Sequence, residues 1–207
     1  MNGAFKIEDE TLKFQLTNQK AHIATNECLT GGPLGSTKYY FWQLELHWGS
    51  LESDGSEHTV NFNRFPLELH LVHVKEDYVD ENGTVDEIEA LKDENGLAVL
   101  AIFVKVTTDV STLTHDTTWF NVIAQAAKTI GNTPSQASFP SISNQDLEPS
   151  ATINLGQIIF RINPSFNGEF NYWYYNGSKT SPDCNEAVRW IIAENPLEIT
   201  TEQVRQS

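Results

Sequence analysis

A chain of 207 residues, 39% hydrophobic and 11% aromatic, has enough apolar material for the core of one domain. It contains no run of about 20 apolar residues, which excludes a membrane-spanning helix, and Met1 to Asp9 hold no apolar stretch of signal-peptide type. Twenty-eight acids against 13 bases give a net charge of −15, which argues against nucleic acid or an anionic membrane as partner, because phosphate recognition needs clustered Lys and Arg.

Thr11–Leu16 alternates polar and apolar residues and is expected to form an early strand. Lys38–Trp48 and Phe65–Val74, rich in aromatic and aliphatic residues, read as two more strands. Nine acids fall between Glu76 and Glu94, with Lys92 the only base there. That interval predicts a solvated loop with a short helix. Its functional alternative is weak contact with divalent cations or mineral, without the spacing of a dedicated calcium loop. Leu97–Val106 is nearly all apolar and predicts a central strand buried on both faces. Trp119, Val122, Ile123, Ala126, Ala127 and Ile130 recur at helical spacing, and Gly131 can stop that helix. Asn132–Pro149, rich in Ser, Pro, Asn and Gln, reads as loop. Gln157–Ile162 and Val188–Ala193 read as strands. With no internal repeat or linker, residues 1–207 are expected to form one mainly β domain, a twisted, largely antiparallel sheet with a few short helices.

Side chains two apart in a strand share a face. Glu45 and His47 therefore point one way in their strand, and Glu68, His70 and Val72 share a face in the next. Laid side by side, the two strands bring Glu45, His47 and His70 toward one point. Two imidazoles and a carboxylate form a three-ligand set that holds catalytic zinc and leaves a fourth position for water. His73 has the wrong parity for that point, and His115 sits in a loop-to-helix region and is expected to be exposed.

These ligand strands belong to a longer series of motifs. Gly31-Gly-Pro-Leu34 precedes Gln43-Leu-Glu-Leu-His-Trp-Gly49, and Gly55-Ser-Glu-His-Thr-Val60 lies before Glu68-Leu-His-Leu-Val-His73. Asn95 to Val106, Tyr172-Trp-Tyr-Tyr-Asn-Gly-Ser-Lys-Thr-Ser-Pro182, Glu186-Ala-Val-Arg-Trp190 and Thr201-Glu-Gln-Val204 follow in order. Over roughly residues 11 to 204 this series resembles the α-carbonic anhydrases. The resemblance implies zinc as cofactor and carbon dioxide or bicarbonate as substrate, with the metal activating water. In that family all three converging ligands are histidine; here one is Glu45.

The resemblance also assigns roles around the metal. Thr180 matches a hydroxyl gate beside the ion, and Glu57 its buried acceptor. Gln43 and Glu68 match groups that orient the ligands two residues on. Val72, Leu97, Val99 and Trp190 match the apolar wall of the substrate pocket, and His58 matches a structural histidine. The stretch Tyr172–Pro182 matches a loop closing over the metal. Family segments at the N- and C-termini have no counterpart, so the chain reads as a fragment or as a shortened relative.

Three departures weaken the expected chemistry. Glu45 adds negative charge, which makes a bound water less acidic; it either joins His47 and His70 on a metal, or pairs with water or a protonated histidine. Lys179 stands where the family has an apolar pocket residue, and either reaches outward or pairs with Glu45. The segment carrying the proton shuttle aligns with Lys20, with His22 two residues on, and only an imidazole titrates near neutrality. The sequence therefore supports two readings: a carbonic-anhydrase-related protein with a degenerate zinc site that serves in binding or structure, or a weak zinc enzyme using Glu45, His47 and His70.

Cys184 matches a half-cystine of extracellular members of the family; it is either unpaired or joined to Cys28. Together with the sequons Asn82-Gly-Thr84 and Asn176-Gly-Ser178, it leans the expectation toward a secreted protein. Loss of the C-terminal family segment would leave a sheet edge unpaired, which predicts a homodimer through that edge.

Overall fold

The computed structural model describes residues 2–8, 11–16, 20–23, 28–49, 53–108, 120, 121, 123, 151–152, 155–162, 170–201 and 203. Among the described residues, ten strands join in one sheet. In chain order they are β1 (Asn2–Glu8), β2 (Thr11–Leu16), β3 (Cys28–Leu29), β4 (Tyr39–Trp48) and β5 (Leu67–Lys75), followed by β6 (Leu97–Thr107), β7 (Ala151–Thr152), β8 (Tyr172–Gly177), β9 (Val188–Ala193) and β10 (Leu197–Thr200). Across the sheet the order is β7-β1-β2-β4-β5-β6-β9-β8, with β3 beside β4 and β10 beside β6. The helices named here are α1 (Glu87–Ala90) and α2 (Leu155–Ile162).

The mainly β expectation holds, with one qualification on direction. β6 pairs in parallel with both β9 and β10, whereas every other named pair is antiparallel. A strand with such partners is covered on both faces, and Leu97 to Val104 are all buried. The expected strands at Thr11–Leu16 and Val188–Ala193 match residue for residue. β5 starts at Leu67 rather than Phe65, because Pro66 has no N–H to give a neighbouring strand.

Gln157–Ile162, expected as a strand, is the end of helix α2. Positions 155, 158, 159 and 162 recur at helical spacing, and Ile158 and Ile162 are buried in the core. The run Ile-Ile-Phe looked strand-like because its β-branched residues mask that spacing. Tyr172–Gly177, expected within a loop, is a strand, so the loop proper begins at Ser178. Phe120, Asn121 and Ile123 are helical, as expected for that segment; its other positions, His115 and the loop Asn132–Pro149 lie outside the described residues. The acidic interval is surface structure, a 3-10 turn at Glu76–Tyr78 followed by α1, whose first turn is capped by Asp86 accepting from Glu89 N. Cys28 and Cys184 are both free thiols.

Each face of the sheet carries its own core. Leu44, Leu46, Leu69, Leu71, Leu100 and Ile102 pack with Ile158 and Ile162 of α2 and with Phe120 and Ile123. The opposite face gathers Trp42, Val72, Val99, Phe103, Trp190 and Ile192. Strand alternation makes this division along β5 and along β4 from Gln43 onward, and the register shift between Phe41 and Gln43 puts Trp42 on the second face.

Candidate metal centre

The register of β4 against β5 sets the centre. Glu45 lies directly opposite His70, and His47 opposite Glu68. Directly paired residues share a face, so all four side chains project to the side opposite α2. Glu45 Oε2 lies 4.0 Å from His47 Nε2 and 3.9 Å from His70 Nδ1. One donor atom from each of Glu45, His47 and His70 falls within 4.8 Å of the other two.

Surrounding groups aim these donors. Gln43 Nε2 donates to Glu45 Oε1 at 2.7 Å. Glu68 Oε1 lies 2.8 Å from His70 Nε2, which turns Nδ1 toward Glu45. Glu68 has no exposure and is held from a second side by His58, whose backbone N–H donates to Oε2 at 2.8 Å and whose Nδ1 hydrogen-bonds Oε1. Nε2 of His58 hydrogen-bonds Tyr175 Oη at 2.6 Å. The rings of His58 and His70 both stand edge-on to Trp190, with centroids 4.8 Å away.

Burial opposes charge on Glu68, but hydrogen bonds and charge from His58 and His70 outweigh it and hold the carboxyl well below its usual range. For His70, burial favours the neutral ring, and Glu45 and Glu68 more than reverse this, raising it to about 9. Metal-free, the centre is therefore an imidazolium between carboxylates. Burial, then the charges of Glu68 and Glu57, push the Tyr175 phenol up to about 12 and keep it neutral.

A loop delivers Glu57 and His58. Ser56 ties its ends, with Ser56 N donating to Phe65 O, Phe65 N to Ser56 Oγ, and Ser56 Oγ to His58 O. The preceding Gly55 lies so close to β5 that an added Cβ would sit 1.6 Å from the Pro66 carbonyl oxygen. Thr180 Oγ1 donates to Glu57 Oε2 at 2.8 Å, the gate pairing expected from the sequence. Glu57 is not the buried acceptor expected, because 30% of its side chain is exposed. Its Oε2 turns to the centre, 3.5 Å from His47 Nε2 and 3.8 Å from His70 Nδ1.

Next to the donors is a cavity of about 30 Å³, room for one small molecule. Val72, Leu97, Val99, Lys179 and Trp190 line it as expected, joined by Gln43, Glu45 and Thr180. Trp42, Ser181 and Val188 also line it and were not anticipated. The Lys179 ammonium does not cross to Glu45; it reaches outward to Glu87 Oε1 at 3.7 Å. Lys20 and His22 sit elsewhere: Ala21 N donates to Gly83 O, His22 N to Phe41 O, and the Lys20 charge acts on Asp80. Neither is among the described residues lining the cavity. His73, of the wrong parity, hydrogen-bonds the Leu71 carbonyl through Nδ1.

The donor set fits a divalent cation. Two imidazole nitrogens and a carboxylate oxygen are established zinc ligands, and Glu45 and His70 are each oriented by a second group, as ligands of metals commonly are. His58, Glu68 and His70 form a second cluster of donors, but those atoms are bonded to one another.

Comparison with known proteins gives the same direction. A family model described as eukaryotic-type carbonic anhydrase matches residues 2–207. Human carbonic anhydrase 3 is 32% identical over 176 residues, covering 85% of this chain and 55% of its own length. Human carbonic anhydrase-related protein is 29% identical over 185 residues, covering 89% of this chain and 54% of its own length. The chain spans about half the length of the curated relatives it matches.

Proposed function

This chain belongs to the eukaryotic-type carbonic anhydrase family, and from that premise we propose that it keeps a metal centre but has lost efficient carbon dioxide hydration, serving in binding rather than catalysis. The observation that carries this reading is Glu45. Its carboxylate stands within 4.0 Å of both imidazoles, where it would hold zinc together with His47 and His70. Zinc, when bound, supplies Lewis acidity that makes water a nucleophile near neutral pH. A carboxylate ligand cancels part of the +2 charge on which that acidity depends.

The remaining groups do what the local geometry allows. Glu68 fixes the tautomer of His70 by accepting from Nε2, and Gln43 restrains Glu45. Thr180 gives its proton to Glu57, so its oxygen is left to accept from a donor in the cavity. Val72, Leu97, Val99 and Trp190 keep one wall apolar, and the cavity of about 30 Å³ has room for a small molecule such as carbon dioxide. Lys20 and His22, the expected proton shuttle, are not among the described residues lining the cavity.

The Thr180–Glu57 bond favours a second reading, a weak hydratase using Glu45, His47 and His70. Zinc stoichiometry and carbon dioxide hydration, measured on the native protein beside Glu45→His, separate the two. The binding reading expects zinc that a chelator strips more readily than from Glu45→His, with hydration lower by more than about 100-fold, since a direct ligand outweighs the 10–100-fold typical of outer partners. Equal hydration by the two proteins would establish the enzyme reading instead.

A further inference from the structure

We infer that Glu57 is a fourth ligand of this centre, enclosing the metal in four protein groups with no position left for water. This rests on the reading that a divalent cation is held by Glu45, His47 and His70, and it gives that reading a coordination number.

The distances single out one oxygen. Glu57 Oε2 lies 3.5 Å from His47 Nε2 and 3.8 Å from His70 Nδ1. Glu45 Oε2 lies 4.0 and 3.9 Å from the same two nitrogens. Two carboxylate oxygens thus flank the same pair of nitrogens at nearly equal range. Tetrahedral zinc with bonds of about 2.0–2.1 Å separates its ligand atoms by roughly 3.3–3.4 Å. Four of the six edges of such a tetrahedron are therefore already within roughly 0.7 Å of their length in a loaded site; Glu57 stands outside the group whose donor atoms all lie within 4.8 Å of one another, so the ion would draw its carboxylate inward. Glu57 is nearer to both nitrogens than Glu45, the group whose place in the strand made it the expected ligand.

The bond to Thr180 does not draw Glu57 away from the centre. The oxygen that faces the imidazoles is the one that accepts from Thr180 Oγ1 at 2.8 Å. The Thr180 hydroxyl then orients a ligand, as outer partners of ligating carboxylates do. His70 offers only Nδ1, because Glu68 occupies Nε2, and its ring is 1% exposed. Two carboxylates and two neutral imidazoles balance a divalent cation completely. A centre of that kind has no open site and no net charge to draw an anion, the condition of a structural rather than a catalytic zinc.

The test uses cobalt(II), titrated into the metal-free full chain and followed by visible absorption. The native protein is expected to bind one cobalt with an intense tetrahedral spectrum that is unchanged across neutral pH and by an aromatic sulfonamide. Glu57→Gln is expected to bind about tenfold more weakly or worse, with a spectrum that now responds to pH and sulfonamide. Glu57→Asp keeps the charge but withdraws the oxygen, and is expected to behave like Glu57→Gln; native-like affinity in Glu57→Asp would mean that the charge alone matters and would overturn the ligand role. A native spectrum that shifts with pH or sulfonamide overturns the fourth ligand and leaves the three-donor reading standing, and this holds even where the Glu57 variants do not fold. Cobalt bound by Glu45→His but not by the native chain overturns both.

Discussion

The two faces of β4 and β5 are interiors of different kinds built from alternating residues of the same strands. Leu44, Leu46, Leu69 and Leu71 project to one side and are held by contact with α2. Gln43, Glu45, Glu68 and His70 project to the other and are held by hydrogen bonds and charge. The backbone is common to both, so the difference lies in how each face tolerates loss. An apolar face loses contacts in proportion to the atoms removed. A buried polar face fails abruptly, because removing one partner leaves another unsatisfied.

The sharpest way to break this comparison is Glu68→Ala. It leaves His58 and His70 without their shared acceptor and is expected to destabilise by about 3–5 kcal/mol in urea unfolding. Leu100→Ala, on the apolar side of the adjacent strand, is expected to follow at about 3 kcal/mol, with metal binding unchanged. If Glu68→Ala proves milder than Leu100→Ala, the polar face is not an interior in the sense argued here.

A smaller effect comes from pH. His73 is buried, and burial lowers it to about 4 despite its bonds to the Leu71 and Ala98 carbonyls. The unfolded chain takes up this proton near 6.5, so between pH 6.5 and 4 it binds more protons than the folded chain, and stability falls as pH falls. The loss by pH 5 is expected to be about 2 kcal/mol, read from urea midpoints. His70, shifted upward, contributes stability that grows as pH falls from about 9 and is complete only well below 6.5, so it opposes the His73 loss near pH 6.5 and adds little slope near pH 5. In His73→Met the part of the fall between pH 6.5 and 5 is expected to disappear, while the loss from Glu68 below about pH 4.5 remains. The smallest change is Lys179→Met, which removes a half-exposed pair with Glu87 and is expected to shift stability by less than about 0.5 kcal/mol.

What the sequence disclosed follows from periodicity. Glu45, His47 and His70 were legible because a strand places alternate residues on one face, and the observed register puts Glu45 against His70. Tyr175 could have been found the same way, since it lies opposite Trp190, which was already assigned to the pocket wall. His58 and Glu57 sit in a loop, where no period predicts a direction; the resemblance supplied their roles but not the turn of Glu57 toward the imidazoles. The Lys179 partner, Glu87, belongs to a surface helix far away in the chain, and no local pattern links them. The parallel direction of β9 and β10 depends on how the chain crosses over between distant strands.

That crossover has a consequence for how the chain acquires its structure. β6 can pair with β5 as soon as both are made, but its parallel partners, β9 and β10, are drawn from the far end of the described chain. Until those strands arrive, a strand that opens with eight consecutive apolar residues, Leu97 to Val104, has only one neighbour. Pairings of such long sequence separation close slowly, and an incomplete central strand is a sticky surface while it waits. During synthesis this segment is therefore exposed to aggregation, although in the finished molecule Leu97 to Val104 are all buried.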